Sequence, residues 1–221
     1  MTLRPELSDL PARIRRLPLD ARGYPVPWFV AWENGVPEFR AMDARKFADA
    51  IKYRQCWVCG EPMGVHLSFV IGPMCAINRT TSEPPCHHEC AVWSARNCPF
   101  LTRPHMVRRE AGLPEDVQHA AGLPILRNPG AVCVWTTRRF DVHRAVAGNA
   151  GPLLALGSPE RVEWFAEGRP ATRAEVEASI DSGLPALHEA ADLERTAVRR
   201  VQAHAEIERE REAVARLFPA A

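Results

Sequence analysis

The chain has 221 residues, 46% of them hydrophobic, enough for one large core or two small ones. A formal net charge of +1 excludes a strong global pull toward nucleic acid or an acidic membrane surface. No run approaches the roughly 20 apolar residues of a membrane span, and the first residues carry no apolar signal region, so a cytoplasmic location with reduced thiols is expected.

Residues 1–24 are punctuated by proline and are expected to be loosely attached. "PWFVAWENGVPEFRA" then predicts a hairpin, with Asn34-Gly35 supplying the two positive-φ residues of a type I′ turn and Pro37 on an edge. Asp43 is placed to cap a helix running to about Lys52, with Ala44, Phe47, Ala48 and Ile51 on one face. This helix leads directly into Cys56.

"HLSFVIGPM" reads as a strand entering a second arm or loop around Ile77. Pro84-Pro85 predicts the first turn of a helix capped by Ser82, which stops near Asn97 because Pro99 disfavours helical geometry at Cys98. Residues 101–130 are rich in proline and glycine and read as a linker or wrapping loop. "AVCVWTT", "PLLALG" and "RVEWFAEG" follow as three short strands. In the last of them Trp164 and Phe165 place one ring on each face, one in the core and the other free for an interface. Thr172 and Glu175 make a capping box for a helix expected to stop at Gly183. A long charged helix is then predicted from about Pro185 to Leu217, with Leu187, Ala191, Val198, Val201 and Ala205 as its apolar stripe. The stripe fades after Ile207, so the far half is expected to project or to serve a partner, and truncation after about Glu208 to spare the fold.

The chemistry is concentrated in residues 56–90, which hold five of the seven cysteines and three of the eight histidines. The odd cysteine count and uneven clustering argue against a disulfide frame. Cys56-x-x-Cys59-Gly60 is the shape of a zinc knuckle: the spacing turns both thiolates toward one ion, and glycine takes the positive φ that closes the turn. Tetrahedral zinc needs two further ligands from a rigid element packed back on the knuckle. At the start of the following helix, His87 and Cys90 share a face, as do Cys86 and Cys90. Both pairs lie where the helix dipole favours thiolate. Knuckle, hairpin, then ligands in a first helical turn is the treble-clef order.

The strings "GYPVPWFVAW", "CWVCGE", "FVIGPMC", "EPP" followed by "CHHECA", and "CPFL" resemble a family of bacterial and phage-associated proteins to which no activity is attached. The resemblance covers most of the chain. Its pattern of histidine, two residues, cysteine after paired prolines falls on His87 and Cys90. It therefore implies one structural Zn2+ held by Cys56, Cys59, His87 and Cys90, with Cys86 as an additional thiol able to compete for the third position. It implies no catalytic residue.

The remaining thiols are expected to be packing residues: Cys98 at a helix end, Cys75 at a strand end and Cys133 in a strand core. A zinc deaminase is excluded, because "PCHHEC" has one residue too many between its cysteines and no His-x-Glu precedes it. An HNH-type nuclease would use His66, Asn78 and His88, in the right order, but Pro84-Pro85 interrupts the run between the last two and no acid precedes His66. Glu89 is expected to face solvent, and Trp57 to cover the metal site rather than stack on a base. Nearly all basic residues are arginine, with Lys46 and Lys52 the lysines, and Arg103, Arg108 and Arg109 are the candidate nucleic-acid contacts.

The resulting expectation is an α+β protein. An N-terminal segment (1–24) precedes a hairpin-helix with a treble-clef-like zinc module (25–100). A linker (101–130) and a small three-stranded C-terminal region with a long terminal helix (131–221) follow. It is expected to work through a protein partner rather than by catalysis. A nucleic-acid-binding zinc module is the second reading and a metal-dependent nuclease the third.

Overall fold

The computed structural model describes residues 2–7, 9–104, 106–107, 127–143 and 152–220. Arg108 and Arg109, with most of the expected linker, lie outside the described residues. The chain is α+β.

The N-terminal segment is packed, not loose. Its short helix α1 (Ala12–Arg15) buries Ile14, and Leu7 and Leu10 join the same apolar cluster. Asp20 is buried, and its carboxylate accepts from the Arg22 and Tyr24 amides. The hairpin of β1 (Val30–Glu33) and β2 (Val36–Met42) forms as expected, with Asn34 at φ 48° and Gly35 at φ 78°. Pro37 lies opposite Trp32, on a strand paired along one side alone. Asp43 caps α2 (Ala44–Lys52) by accepting from the Arg45 and Lys46 amides. The buried face of α2 is Phe47 and Ala50 with Ile51 beside them; Ala44 and Ala48 face solvent.

The segment after β3 (Leu67–Ile71) differs from expectation. Pro73 opens a helix, α3 (Pro73–Asn78), so Cys75 and Ile77 are helical. Arg79 ends α3 in the left-handed region at φ 52°, and β4 (Thr80–Thr81) follows. Helix α4 (His88–Asn97) begins later than the proline pair suggests, with His87 at the N-cap position. It ends at Asn97, and Cys98 leads into the short α5 (Pro99–Thr102).

β5 (Ala131–Thr137) pairs antiparallel with β3 on one side and with β8 (Arg161–Ala166) on the other. The four-stranded sheet β3–β5–β8–β9, closed by β9 (Arg169–Pro170), thus draws on both sides of residues 101–130. β7 (Leu153–Leu156) belongs to a second sheet, between β4 and β6 (Phe140–His143).

All residues of β5 are buried, because both faces of the large sheet are covered. On one face the cross-strand rows Phe69–Trp135–Val162 and Ile71–Cys133–Trp164 meet α3, β7 and two C-terminal helices. On the other, Val132, Val134 and Phe165 meet α2, α4 and the cysteine-rich turn. Trp164 and Phe165 are therefore both core residues, one for each face, and neither is free for an interface.

The C-terminal region departs most from the sequence pattern. Thr172 and Glu175 form the expected capping box of α6 (Arg173–Asp192), but α6 runs through Gly183 and Pro185. Gly183 is a packing glycine, since a Cβ there would come within 2.9 Å of the Met74 side chain on α3. Arg127 donates to the Ser182 carbonyl at 2.9 Å, tying the chain just before β5 to α6. The break comes later, at Leu193, and Thr196 caps α7 (Ala197–Ala215) by accepting from the Arg199 amide. The expected apolar stripe holds on α6, where Ala191 is buried and Leu187 packs on the core, but is reversed on α7. Val198 and Val201 are exposed, whereas Val214 is buried and Leu217 and Phe218 pack on the core. Phe218 meets Trp164 edge-on at 5.9 Å, and the Trp164 indole donates to the Leu217 carbonyl at 3.1 Å. The end of the chain is anchored, not projecting. No helix among the described residues is long and apolar enough to cross a membrane.

Candidate metal centre

The knuckle is built by short-range backbone contacts. The Gly60 amide donates to the Cys56 carbonyl at 2.8 Å, and Gly60 takes φ 76°. A Cβ at Gly60 would sit 2.7 Å from the Trp28 ring, so glycine serves both the turn and the close approach of the indole. Trp28 in turn donates its amide to the Val58 carbonyl at 2.7 Å, tying the hairpin to the knuckle. Trp57 is covered on all sides, stacked on Phe29 at 4.8 Å with Phe47 edge-on at 5.7 Å. It packs the module and presents no face to a nucleobase.

The return to the knuckle is made by residues 84–87. The Trp57 amide donates to the Pro85 carbonyl at 3.0 Å. Ser68 and Cys86 exchange amide–carbonyl bonds at 3.0 and 2.7 Å, a single antiparallel bridge to β3. The proline pair therefore forms an extended arm that delivers His87 and then α4. Helix α3 and strand β4 occupy the place where a simple hairpin loop was expected.

These elements bring Cys56, Cys59, His87 and Cys90 together, with all four ligand atoms within 4.8 Å of one another. His87 Nδ1 lies 3.4 Å from Cys59 Sγ, while its Nε2 lies 3.2 Å from the Pro62 carbonyl. Donation from Nε2 to that carbonyl leaves the Nδ1 lone pair aimed at the sulfurs, the tautomer a metal-binding histidine needs. The Cys59 and His87 amides point at Cys56 Sγ, at 3.5 and 3.3 Å. Amides aimed at sulfur favour thiolate.

The thiols of the cluster perturb one another strongly. Thiols of Cys59, Cys86 and Cys90 donating to Cys56 hold its pKa far below the ordinary thiol range. The Cys56 thiolate in turn pushes Cys59 up to about 11 and Cys90 further still. It also draws the His87 imidazole upward. Three sulfurs packed this closely ionise together only around a positive charge; a bound divalent metal would supply it and release the protons. Three sulfurs and one imidazole nitrogen make a donor set suited to a tetrahedral, borderline-soft ion.

Cys86 lies outside the set of four. It is buried, and the neighbouring Cys56 together with burial raises its pKa well above the usual value. None of the seven cysteines forms a disulfide. Burial pushes the pKa values of Cys75 (to about 11), Cys98 and Cys133 up, and Cys133 sits in the β5 core as expected.

Charged residues ring the module. Glu89 is exposed, as expected, and is ion-paired with Arg13 at the surface. Arg13 also meets Glu61 at 3.0 Å, so α1 is clamped to both halves of the cysteine-rich module. The sequence held no signal for this clamp, which spans 76 residues.

The candidate nuclease residues are not gathered around an ion. His66 is a surface residue 3.3 Å from Glu160, an acid contributed from outside the module. Asn78 is used in its own turn, accepting from the Thr80 amide and hydroxyl at 3.0 and 2.8 Å. His88 faces away from the cysteines and meets Glu163 of β8 at 2.5 Å. Among the described residues, the four-residue cluster is the one group of three or more His, Cys, Asp or Glu side chains gathered closely enough for an ion. Arg103 is exposed beyond α5.

No protein-family model matches the chain, and neither a curated protein nor a solved structure matches it. The functional reading therefore rests on this geometry.

Proposed function

We propose that the chain is a zinc-stabilised binding protein, with one structural Zn2+ held by Cys56, Cys59, His87 and Cys90 in a treble-clef-like module. The observation that carries this reading is the convergence of four donor atoms within 4.8 Å on a knuckle, an extended arm and a helix start. Four protein ligands complete a tetrahedral shell and leave no position for a water nucleophile, which favours structure over catalysis. The Ser68–Cys86 bridge, which ties the extended arm to β3, supports a module of this kind.

Binding to a protein partner is supported by Leu193, Val198 and Val201, which are 76%, 66% and 70% exposed around the turn from α6 into α7. Large apolar side chains grouped on a surface mark interaction sites more often than isolated ones do. A net charge of +1 gives less support to nucleic acid, whose phosphates demand a concentrated basic surface.

Elemental analysis of purified protein is expected to give one zinc per chain, lost in Cys90→Ser and retained in Cys86→Ser. Finding no metal, or iron with sulfide, overturns the assignment. A partner captured by the wild type and released by Val201→Glu supports the binding role.

The nuclease reading gains one observation, the Glu160 carboxylate beside His66. We expect no cleavage of single- or double-stranded DNA with magnesium, manganese or zinc. Cleavage abolished by His66→Ala would reverse that judgement.

A further inference from the structure

The two C-terminal helices carry a side-chain cluster that the cysteine centre does not use. His188 on α6 and His204 on α7 face each other with their Nδ1 atoms 2.8 Å apart and their rings inclined by only 17°. The outer nitrogen of each ring meets a carboxylate on the opposite helix. His188 Nε2 lies 3.1 Å from Glu208, and His204 Nε2 lies 2.8 Å from Asp192. In the sequence these are two His-x-x-x-acid pairs, "HEAAD" at 188–192 and "HAEIE" at 204–208. A spacing of four puts both members on one helix face. Helix α7 runs back along α6, as the 181–211 and 192–204 contacts require, so the pairs cross.

The hydrogen bonds dictate the protonation pattern. An ionised carboxylate only accepts, so both Nε2 atoms must donate. Each neutral ring then keeps its lone pair on Nδ1, and two lone pairs face each other across 2.8 Å. A positive species must sit between them, either a shared proton or a metal ion. Neutral imidazoles with a carboxylate behind each far nitrogen are the arrangement that metal-binding histidines adopt.

We propose that His188 and His204 bind a second divalent transition-metal ion through their Nδ1 atoms, with Asp192 and Glu208 orienting the rings and water completing the shell. Two nitrogens bound to a tetrahedral ion at about 2.0–2.1 Å stand about 3.3 Å apart. Loading therefore parts the rings by roughly half an ångström, a movement within the reach of two side-chain rotations. The side chains are 32% and 35% exposed, so an ion arrives from solvent without opening the fold. Imidazole nitrogen selects Zn2+, Ni2+, Cu2+ or Co2+ over Mg2+ and Ca2+. With two protein ligands this site is weaker and more exchangeable than the cysteine centre. When filled it cross-links α6 to α7 beside the exposed Leu193, Val198 and Val201.

The test adds Ni2+ to the full chain after saturation with zinc and removal of the excess, and counts both metals. Wild type is expected to bind one equivalent of Ni2+ that His188→Asn and His204→Asn do not bind. Asp192→Asn is expected to weaken it about 10- to 100-fold, the usual effect of losing a carboxylate behind a ligand. Excess Ni2+ is expected to raise the Tm of wild type and leave that of both histidine variants unchanged. Zinc at the cysteine centre should stay constant in every variant, so failure of either site is read separately. Unchanged circular dichroism establishes that the variants fold. The proposal is overturned if wild type takes up no Ni2+, or if both histidine variants bind it as tightly. It is equally overturned if the His188 and His204 resonances move with pH but not with Ni2+, which would make a proton the sole occupant.

Discussion

On one face of the large sheet, Val132, Val134 and Phe165 meet the cysteine knuckle, α2 and α4; on the other, Cys133, Trp135 and Trp164 meet α3, α6 and α7. The second face is filled by large side chains, with Trp135, Phe69, Ile77, Leu154 and Ile180 all buried to within 2% exposure. Burial of that kind contributes roughly 1.5–3 kcal/mol per side chain. Around α4 the first face has small groups, Cys56, Cys90, Ala91 and Ala95, with the rings of Trp57, Phe29 and Phe47 packed together beside them. Donor atoms must converge on one point there, which leaves little room for apolar bulk. One face is held by the area it buries; on the proposed reading the other would depend on the ion its sulfurs hold.

The largest test of this contrast is metal removal. Structural zinc contributes on the order of 10 kcal/mol in small zinc modules. Strong chelation, or Cys90→Ser, is expected to strip hydrogen-exchange protection from residues 55–98 while β8 and α6 remain protected. A single transition in which all strands and helices lose protection together would erase the distinction between the faces.

Truncation after Glu208 probes the other side. It removes Val214, Leu217, Phe218 and the carbonyl that accepts from the Trp164 indole. Loss of several kcal/mol is expected, since one large-to-small core change alone costs about 2–5 kcal/mol. Denaturant midpoint and tryptophan fluorescence read the effect, and an unchanged midpoint would mean that α7 ends outside the core after all.

Gly60→Ala separates backbone from ligand at the knuckle. It leaves every donor atom in place but puts a methyl 2.7 Å from the Trp28 ring at φ 76°. A cost of about 1–3 kcal/mol is expected from the left-handed backbone. Competition with a chelator should show weaker metal retention; retention equal to wild type would mean the knuckle tolerates displacement of Trp28.

The smallest expected effect lies at the start of α6. Thr172→Ala should cost about 1 kcal/mol, the usual worth of an N-cap. Arg169 and the Thr172 amide and hydroxyl hold the Glu175 pKa at about 2, against an ordinary 4.5. A lowered carboxylate pKa contributes stability above the unfolded value and loses it as the folded value is approached. The stability difference between wild type and Glu175→Gln should therefore be full above pH 4.5 and fade toward pH 2. A difference that persists unchanged at pH 2 would show that the capping box acts through packing alone.

What the sequence determined by itself is what neighbours along the chain decide. The Asn34-Gly35 turn, the Asp43 cap, the Thr172–Glu175 box and the Cys56–Cys59 knuckle are each settled within a few residues, by allowed φ values and by orphan amides seeking acceptors. Their chemistry reads correctly because no distant contact can make a better offer to those groups. Tertiary structure decided the rest. Gly183 has the signature of a helix stop and is instead the small residue that lets α6 close on Met74. Val198 and Val201 carry the better stripe, yet Val214 is buried, because a stripe has meaning only where another surface lies against it. The arm bridged to Ser68 carries His87 into the cluster and leaves Cys86 beside it. His188 and His204 acquire partners only because the chain breaks at Leu193 and returns. A four-residue spacing is visible in one dimension; which two helices bring their pairs face to face is set by the packing free energy of the whole core.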